Sequence, residues 1–264
     1  MIEWPQQFAD AIKTKTFGCR IHYYTQVGST NLIARELAKG NAPEGTLVIG
    51  EEQTQGRGRN NRTWFSPAGK SLLFSIILKP DWVPNHAPRL TAIAAIAVAE
   101  GIRKSTGLPA CIKWPNDVQI HGKKVAGILT ELEVVKSKIK FAVIGIGVNI
   151  NIKKTEFLEE LRNQATSLKI ELKKRNSISR AAVIAEIMHY FELHYFQCLK
   201  EGTKSAMTEW KRLSDTLGKL VQVEGLKYKT TGYVVDIDLD GSLILRSSSG
   251  IITKLVGGEI TLLE

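Results

Sequence analysis

The chain has 264 residues, 43% of them hydrophobic and 23% charged, with a formal net charge of +10. That length suits one large domain, or a main domain with a small one, and buries a core without disulfide staples. Cys19, Cys111 and Cys198 are far apart and odd in number, which argues against a disulfide framework or structural zinc site and fits a reducing compartment.

Met1-Ile2-Glu3-Trp4-Pro5 has no basic segment leading into an apolar one, so no signal peptide is expected. The longest apolar stretch, Leu90 to Ala99, is about half of a bilayer span. The expectation is a cytoplasmic protein with no membrane partner and no metal-ligand cluster. The positive charge attracts phosphates, nucleotides or acidic proteins and by itself selects none of them.

In chain order, residues 31–39 read as a short amphipathic helix, started by Ser29 or Thr30 and ended by Gly40. Thr46 to Glu51 is a β-rich run. A glycine–arginine loop follows, then a second apolar run, Ser71 to Leu78. Arg89 to Ser105 reads as a helix, alanine-rich enough to lie against a sheet. Val118-Gln119-Ile120 faces Val125 to Glu131 across His121-Gly122 as a hairpin, and Phe141 to Ile150 follows a lysine-rich connection. Short turns between neighbouring strands imply an antiparallel or mixed sheet and not βαβ units. Residues 156–217 read as helical, with Ile184, Ile187, Met188 and Phe191 at helical spacing. From Leu220 to Leu263 short β-runs alternate with glycines, the pattern of a small five-stranded barrel. The fold class expected is α/β of the α+β kind. The chain divides into a lead segment 1–20, a main unit 21–217 and a barrel 218–264.

Two phosphate motifs fail on inspection. Gly69-Lys70-Ser71 resembles the end of a P-loop, but Trp64 stands where the earlier glycine belongs. Gly145-Ile146-Gly147 lacks the third glycine of a dinucleotide fingerprint, that place being Ile150. Asn61-Arg62-Thr63 is read as a chance glycosylation triplet.

Chemistry concentrates in the segment Glu52 to Pro67, where Gly56-Arg57-Gly58-Arg59 leads through Asn60-Asn61 to Arg62 and Trp64-Phe65. Arginines among glycines make a cationic loop able to fold round a phosphate. Alone it reads equally as a solvated basic turn or an RNA-binding patch, but apolar segments anchor both ends. Three further segments stand out: Gly28-Ser29-Thr30-Asn31, Lys113-Trp114-Pro115-Asn116-Asp117 with Lys123-Lys124-Val125-Ala126-Gly127, and Gly145-Ile146-Gly147-Val148-Asn149.

In order and spacing these segments resemble the biotin–protein ligase family, and the tail with Gly257-Gly258-Glu259-Ile260 resembles that family's C-terminal barrel. The resemblance covers residues 21–264. It implies a catalytic domain akin to lipoate ligases and class II tRNA synthetases, backed by an SH3-like barrel. It also implies two-step chemistry. Biotin's carboxylate attacks the α-phosphate of Mg-ATP, and the resulting biotinoyl-adenylate is attacked by a lysine of a biotin carboxyl carrier domain of acetyl-CoA carboxylase or a related carboxylase.

The resemblance assigns Ser29, Thr30, Asn31 and Gln53 to biotin, whose uncharged ureido ring suits neutral partners. Arg57, Gly58, Arg59, Lys124, Gly127 and Gly145 complete the biotin set. With Gly147, Gly127 and Gly145 are expected to let the backbone approach the ligand. Arg57, Arg59, Arg62, Trp64, Lys124 and Asn149 make the nucleotide set, with Trp64 either stacked on adenine or part of the core. Lys124, Arg57 and Asp117 are the catalytic candidates. Asp117 either orients or deprotonates the incoming lysine, or it closes the Trp114-Pro115-Asn116 turn by a hydrogen bond. The Gly56–Arg62 loop is expected to be mobile when empty and to order over the adenylate.

Family loops carry more arginine and glycine where Asn60-Asn61 stand, so weaker retention of the adenylate is expected. Leu262-Leu263 stand where relatives often have arginine, leaving open whether the barrel helps bind ATP. The motifs begin near residue 28, too early for a preceding winged helix, so a single-function form without a specific DNA partner is expected. A homodimer is compatible with the family. The alternatives are a lipoate–protein ligase and, in another class, a basic nucleic-acid-binding regulator, for which no recognition helix or aromatic RNP pair is present.

Overall fold

Runs of β-branched and apolar residues form the strands that organise the molecule. The computed structural model describes residues 5–225 and 228–263. The signal-peptide reading of Met1–Trp4, and Leu226, Lys227 and Glu264 of the expected barrel, lie outside the described residues. Ile21–Tyr24 (β1), Leu47–Gly50 (β2), Ser71–Leu78 (β3), Cys111–Lys113 (β4), Asp117–Ile120 (β5), Lys123–Val135 (β6) and Lys138–Asn149 (β7) make one sheet in the order β1-β2-β3-β7-β6-β5-β4. β1 and β2 run parallel and the other neighbours antiparallel, so the sheet is mixed. Every residue of β3 is buried, which is why its sequence is a continuous apolar run without alternation.

The helices are Pro5–Ala11 (α1), Thr30–Lys39 (α2), Ala87–Thr106 (α3), Leu168–Glu171 (α4), Arg180–Glu201 (α5) and Lys204–Leu213 (α6). On one face, Ala34 and Ala38 of α2 pack on Val48, Ile77, Phe141 and Val143. On the other, α3 and α5 join Leu72, Phe74, Ile76, Ile144 and Ile146 in the main core. The two helices cross closely at Gly101, where a Cβ would stand 2.6 Å from Ile187 Cγ1 and 2.8 Å from its backbone nitrogen.

A second antiparallel sheet is built from Leu220–Glu224 (β8), Lys229–Ile237 (β9), Leu243–Arg246 (β10), Ile252–Leu255 (β11) and Glu259–Leu262 (β12), in the order β11-β10-β9-β8-β12. This is the barrel-like unit that the glycine spacing predicts. Val221, Val223, Val234, Leu243, Leu245 and Ile260 are buried in it. It meets the larger sheet through Trp114, whose indole nitrogen donates to Gly241 O at 2.9 Å.

Several local readings change. The short elements α1 and β1 carry no periodic signal long enough to announce them. Gly40 does end α2, but with φ −77°, and Asn41 at φ 64° takes the left-handed position. Ser29 is the N-cap residue, but its side chain makes no capping bond. The lysine-rich connection is strand: β6 runs to Val135, Lys136 and Ser137 turn with φ 49° and 63°, and β7 starts at Lys138. That double left-handed turn matches the twist of paired strands, as it does at His121-Gly122. Residues 156–217 are not helical throughout. Much of the stretch before α4 is irregular, because Ala165 pairs with Lys124 as an isolated bridge and the pairing overrides local helix propensity. None of the helices is long and apolar enough to cross a membrane among the described residues.

Candidate active site

The site lies on the α2 face of the larger sheet, where β7 changes from Phe141 and Val143 to Gly145 and Gly147. A cavity of about 650 Å³ opens there. It collects every residue singled out from the sequence: Ser29, Thr30, Asn31, Gln53, Arg57, Gly58, Arg59, Arg62, Trp64, Asp117, Lys124, Gly127, Gly145 and Asn149. The walls carry Arg57, Arg59, Arg62, Lys113 and Lys124 against Asp117 and Glu259, so the cavity is net cationic.

The glycines of the floor make room for protein side chains. A Cβ on Gly145 would sit 2.2 Å from Asn31 Oδ1, and one on Gly147 would sit 2.6 Å from Trp64 Cε2. Gly127 also faces the Trp64 ring, at 2.9 Å. The close approach expected of the backbone to a ligand is therefore first an approach of Asn31 and Trp64 to the sheet.

At the α2 end the polar groups form one network. Gln53 Oε1 accepts from the Thr30 backbone at 2.7 Å and from its hydroxyl at 3.0 Å. The Ser75 hydroxyl, fully buried on β3, donates to Asn31 Oδ1 at 2.7 Å and lies 2.8 Å from Thr30 Oγ1. Asn31 donates in turn to Glu131 at 2.7 Å, and Arg57 pairs with the same carboxylate at 3.2 Å.

The Gly56–Trp64 loop is a narrow hairpin. Gly58 N donates to Arg62 O at 2.7 Å and Trp64 N to Gly56 O at 3.0 Å. Asn60 and Asn61 hold left-handed backbone at its tip, φ 54° and 59°, which asparagine tolerates better than most residues. Arg62 pairs with Glu259 of β12 at 2.5 Å, and Asn60 donates to the same carboxylate at 3.4 Å. Arg59 donates to Asn116 Oδ1 at 3.0 Å. Burial pulls the Arg59 guanidinium below its ordinary value, against the fields of Asp117 and Glu259, which raise it.

Lys124 pairs with Asp117 at 2.7 Å and lies 5.6 Å from the Trp64 ring centre. Its backbone is fixed by Gln164 O at 2.8 Å and by Thr166 N at 2.9 Å. Asp117 thus meets Lys124, and the turn after the cis Trp114–Pro115 bond is held by Asn116, which donates to Ile128 O at 2.7 Å. Trp64 Nε1 and Asn149 Oδ1 are buried without hydrogen-bond partners among the described residues. No group of three or more His, Cys, Asp and Glu gathers among the described residues.

Behind the loop, Glu51 receives both terminal nitrogens of Arg180 at 2.7 Å and the Tyr23 hydroxyl. Burial alone would raise the Glu51 carboxyl, but these hydrogen bonds and the Arg180 charge hold it below its ordinary value.

Sequence reasoning missed Ser75, Asn116, Glu131, Glu259 and the stretch with Phe157, Asn163, Gln164 and Ala165 on the cavity wall. Asn116 and Glu259 lie within the motifs themselves, and the donors of Arg59 and Arg62 need such acceptors. Ser75 had a weaker signal, a hydroxyl inside an apolar strand.

The Biotin/lipoate A/B protein ligase family model matches residues 23–149. Over 251 residues the chain is 38% identical to the bifunctional ligase/repressor BirA of Bacillus subtilis, spanning 95% of this chain and 76% of that one. The chain belongs to the biotin–protein ligase family. The biotin–[acetyl-CoA-carboxylase] ligase of Mycobacterium tuberculosis is 33% identical over 83% of this chain and 80% of its own length. Among solved structures, the Aquifex aeolicus biotin protein ligase in complex with biotin and ATP superposes with a TM-score of 0.78 at 28% identity, over 92% of this chain and 98% of that one. The mixed sheet and the second, barrel-like sheet are the architecture of these ligases.

Proposed function

We propose that this chain forms biotinoyl-5′-adenylate from biotin and ATP and transfers the biotin to a lysine of a carboxylase's biotin carboxyl carrier domain. The observation that carries the reading is one cationic cavity, which joins a neutral polar end to a row of arginines and lysines.

The neutral end suits the ureido ring. Ser29, Thr30, Asn31 and Gln53 supply donors and acceptors without a charge that would have to be desolvated. Biotin's carboxylate then points toward Arg57, Arg59 and Lys124. There a biotin oxygen bonds to the α-phosphorus as the bond to the β-phosphate breaks, and pyrophosphate departs with the electron pair. Such displacements depend on positioning and on neutralising the non-bridging oxygens. Lys124 is pre-placed for this by its two backbone bonds and by Asp117. Mg2+ enters as part of the nucleotide substrate.

Trp64 and Asn149 offer the nucleoside a ring face, an unused indole donor and an unused amide acceptor. Arg62 and Gly58 belong to the loop that covers the anhydride and keeps water from it. In the second step Asp117 orients the acceptor lysine and takes its proton once Lys124 has turned to the phosphate. The amine nitrogen bonds to the biotinoyl carbonyl carbon as that carbon's bond to the phosphate oxygen breaks, and AMP departs with the electron pair. Glu259 gives the C-terminal unit, residues 218–264, an indirect part in nucleotide binding by the catalytic unit, residues 21–217.

The same reading takes the carrier to be that of acetyl-CoA carboxylase or a close relative, the location to be cytoplasmic, and sequence-specific DNA and membranes to be no partners. A homodimer would dock along β1 or β4, the ends of the larger sheet. The deciding experiment is exchange of labelled pyrophosphate into ATP with biotin or lipoate as the acid. Biotin-dependent exchange is expected; exchange with lipoate alone would move the chain to the sister activity, and none with either would overturn the adenylation reading.

A further inference from the structure

We propose that Lys113 binds the departing pyrophosphate of the adenylation step. The inference rests on the ligase reading and adds a residue to it.

The other cations of the cavity are engaged before any ligand arrives. Arg57 has Glu131, Arg62 has Glu259, Lys124 has Asp117, and Arg59 donates to Asn116. Lys113 also lines the cavity and is half-buried, yet among the described residues its ammonium has no ion-pair or hydrogen-bond partner. A strongly hydrated ammonium facing a cationic cavity is repelled by its neighbours. An incoming polyanion removes that repulsion.

Its place in the sheet says which part of the polyanion it meets. Lys113 on β4 stands opposite Asp117 on β5, Asp117 opposite Gly127 on β6, and Gly127 opposite Gly147 on β7. Residues directly opposite share a face, about 5 Å apart. The row therefore runs from the floor under Trp64, past Lys124, to Asp117 and then Lys113. Asn31, at the neutral end, sits over Gly145 on β7. Biotin's carboxylate thus reaches the α-phosphorus from the β7 side. In-line displacement sends the leaving oxygen the opposite way, toward β4. The bridging oxygen takes the electron pair of the broken bond, so negative charge grows on pyrophosphate as it separates. The Lys113 ammonium meets that charge there. Asp117, the carboxylate in that row, is paired with Lys124 before any ligand arrives.

Pyrophosphate exists in only one half-reaction, which gives the test its resolution. Wild type, Lys113→Ala and Lys113→Arg are compared in pyrophosphate–ATP exchange, and in single-turnover transfer from preformed biotinoyl-adenylate to a carrier domain. Lys113→Ala is expected to lose roughly 10- to 100-fold in exchange, with the KM for pyrophosphate raised by a similar factor. Its KM for biotin and its transfer rate should stay within about twofold of wild type. Lys113→Arg, keeping the charge, should recover most of the exchange. Absence of exchange in the wild type would overturn the ligase reading and this inference with it. With an active wild type, an unchanged pyrophosphate KM in Lys113→Ala overturns the assignment alone. So does an equal loss in both half-reactions, or a loss confined to transfer, which would put Lys113 against the carrier instead.

Discussion

Phe141, Val143, Gly145 and Gly147 lie on one face of one strand, yet the first two are sealed beneath α2 and the last two floor an open cavity. Backbone pairing is nearly the same at both ends, since β3 and β6 both flank β7 from Ala142 to Val148. The difference is side-chain volume. Large apolar groups at the first end interlock with Ala34 and Ala38 and exclude water. At the second, missing side chains leave a slot that Asn31 and Trp64 enter without filling. A binding site here is a stretch of core from which the filling has been withheld. The two ends should therefore fail differently when altered.

The largest effect is expected at the sealed end. Phe141→Ala should cost about 3–5 kcal/mol of stability through the cavity it leaves, lowering Tm by roughly 6–20 °C for a chain of this size. Exchange activity of the fraction still folded should stay near wild type. A selective loss of activity in thermally intact protein would show that the two ends are coupled.

Glu51 stands at the seam, where β2 ends and the active-site segment begins. Glu51→Gln removes the buried carboxylate charge that takes both terminal nitrogens of Arg180 and should cost about 3 kcal/mol. The sign with pH follows from the lowered carboxyl. The pair's stabilisation is fully present above the ordinary carboxylate value and is lost as pH falls through the lower folded value. Denaturant titrations of wild type and variant should therefore converge in acid; curves that stay parallel down to about pH 3 would remove Glu51 from the acid response.

At the open end Lys124→Ala should lose about 3–4 kcal/mol of transition-state stabilisation with Tm little changed, because its partner Asp117 is partly exposed and can rehydrate. Near-normal pyrophosphate exchange would sink the assignment. Gly147→Ala should act more mildly, by about 1–3 kcal/mol. Its methyl group meets Trp64 at 2.6 Å and must push the ring off the floor. The expected reading is a raised KM for ATP with an unchanged KM for biotin.

The sealed end and the floor of the open end were both legible in the sequence, by different routes. Ser71–Leu78 and Phe141–Ile150 announce themselves by apolar runs, whereas Gly127, Gly145, Asn149 and Lys124 were assigned through the ordered motifs that resemble the ligase family. What could not be read is pairing across distance. Glu131 meets Asn31 and Arg57, and Glu259 meets Arg62, across long separations in the chain; a carboxylate's identity does not say which cation it will face. Phe157 to Ala165 misled for a related reason. Its local propensity is helical, and the bridge to Lys124 with the burial of Phe157 draws it onto the cavity wall.

The smallest effect sharpens the comparison most, because it asks what closes the open end. The loop is tied to the second sheet by Glu259 through Arg62 and Asn60, all of them solvent-accessible. An exposed pair of this kind is worth about 0.2–1 kcal/mol, so Glu259→Gln should leave Tm unchanged. That energy is nonetheless comparable to what holds a short glycine-rich hairpin shut, and loop opening should become several-fold more frequent, by the usual relation of about 1.4 kcal/mol per factor of ten. Trypsin cutting at Arg57, Arg59 and Arg62 reads the open state directly. Faster nicking of the empty Glu259→Gln protein, suppressed by biotin with ATP, is the expected outcome. Equal nicking of wild type and variant would mean that the polar network of Asn31, Arg57 and Glu131 shuts the loop without help from the second sheet.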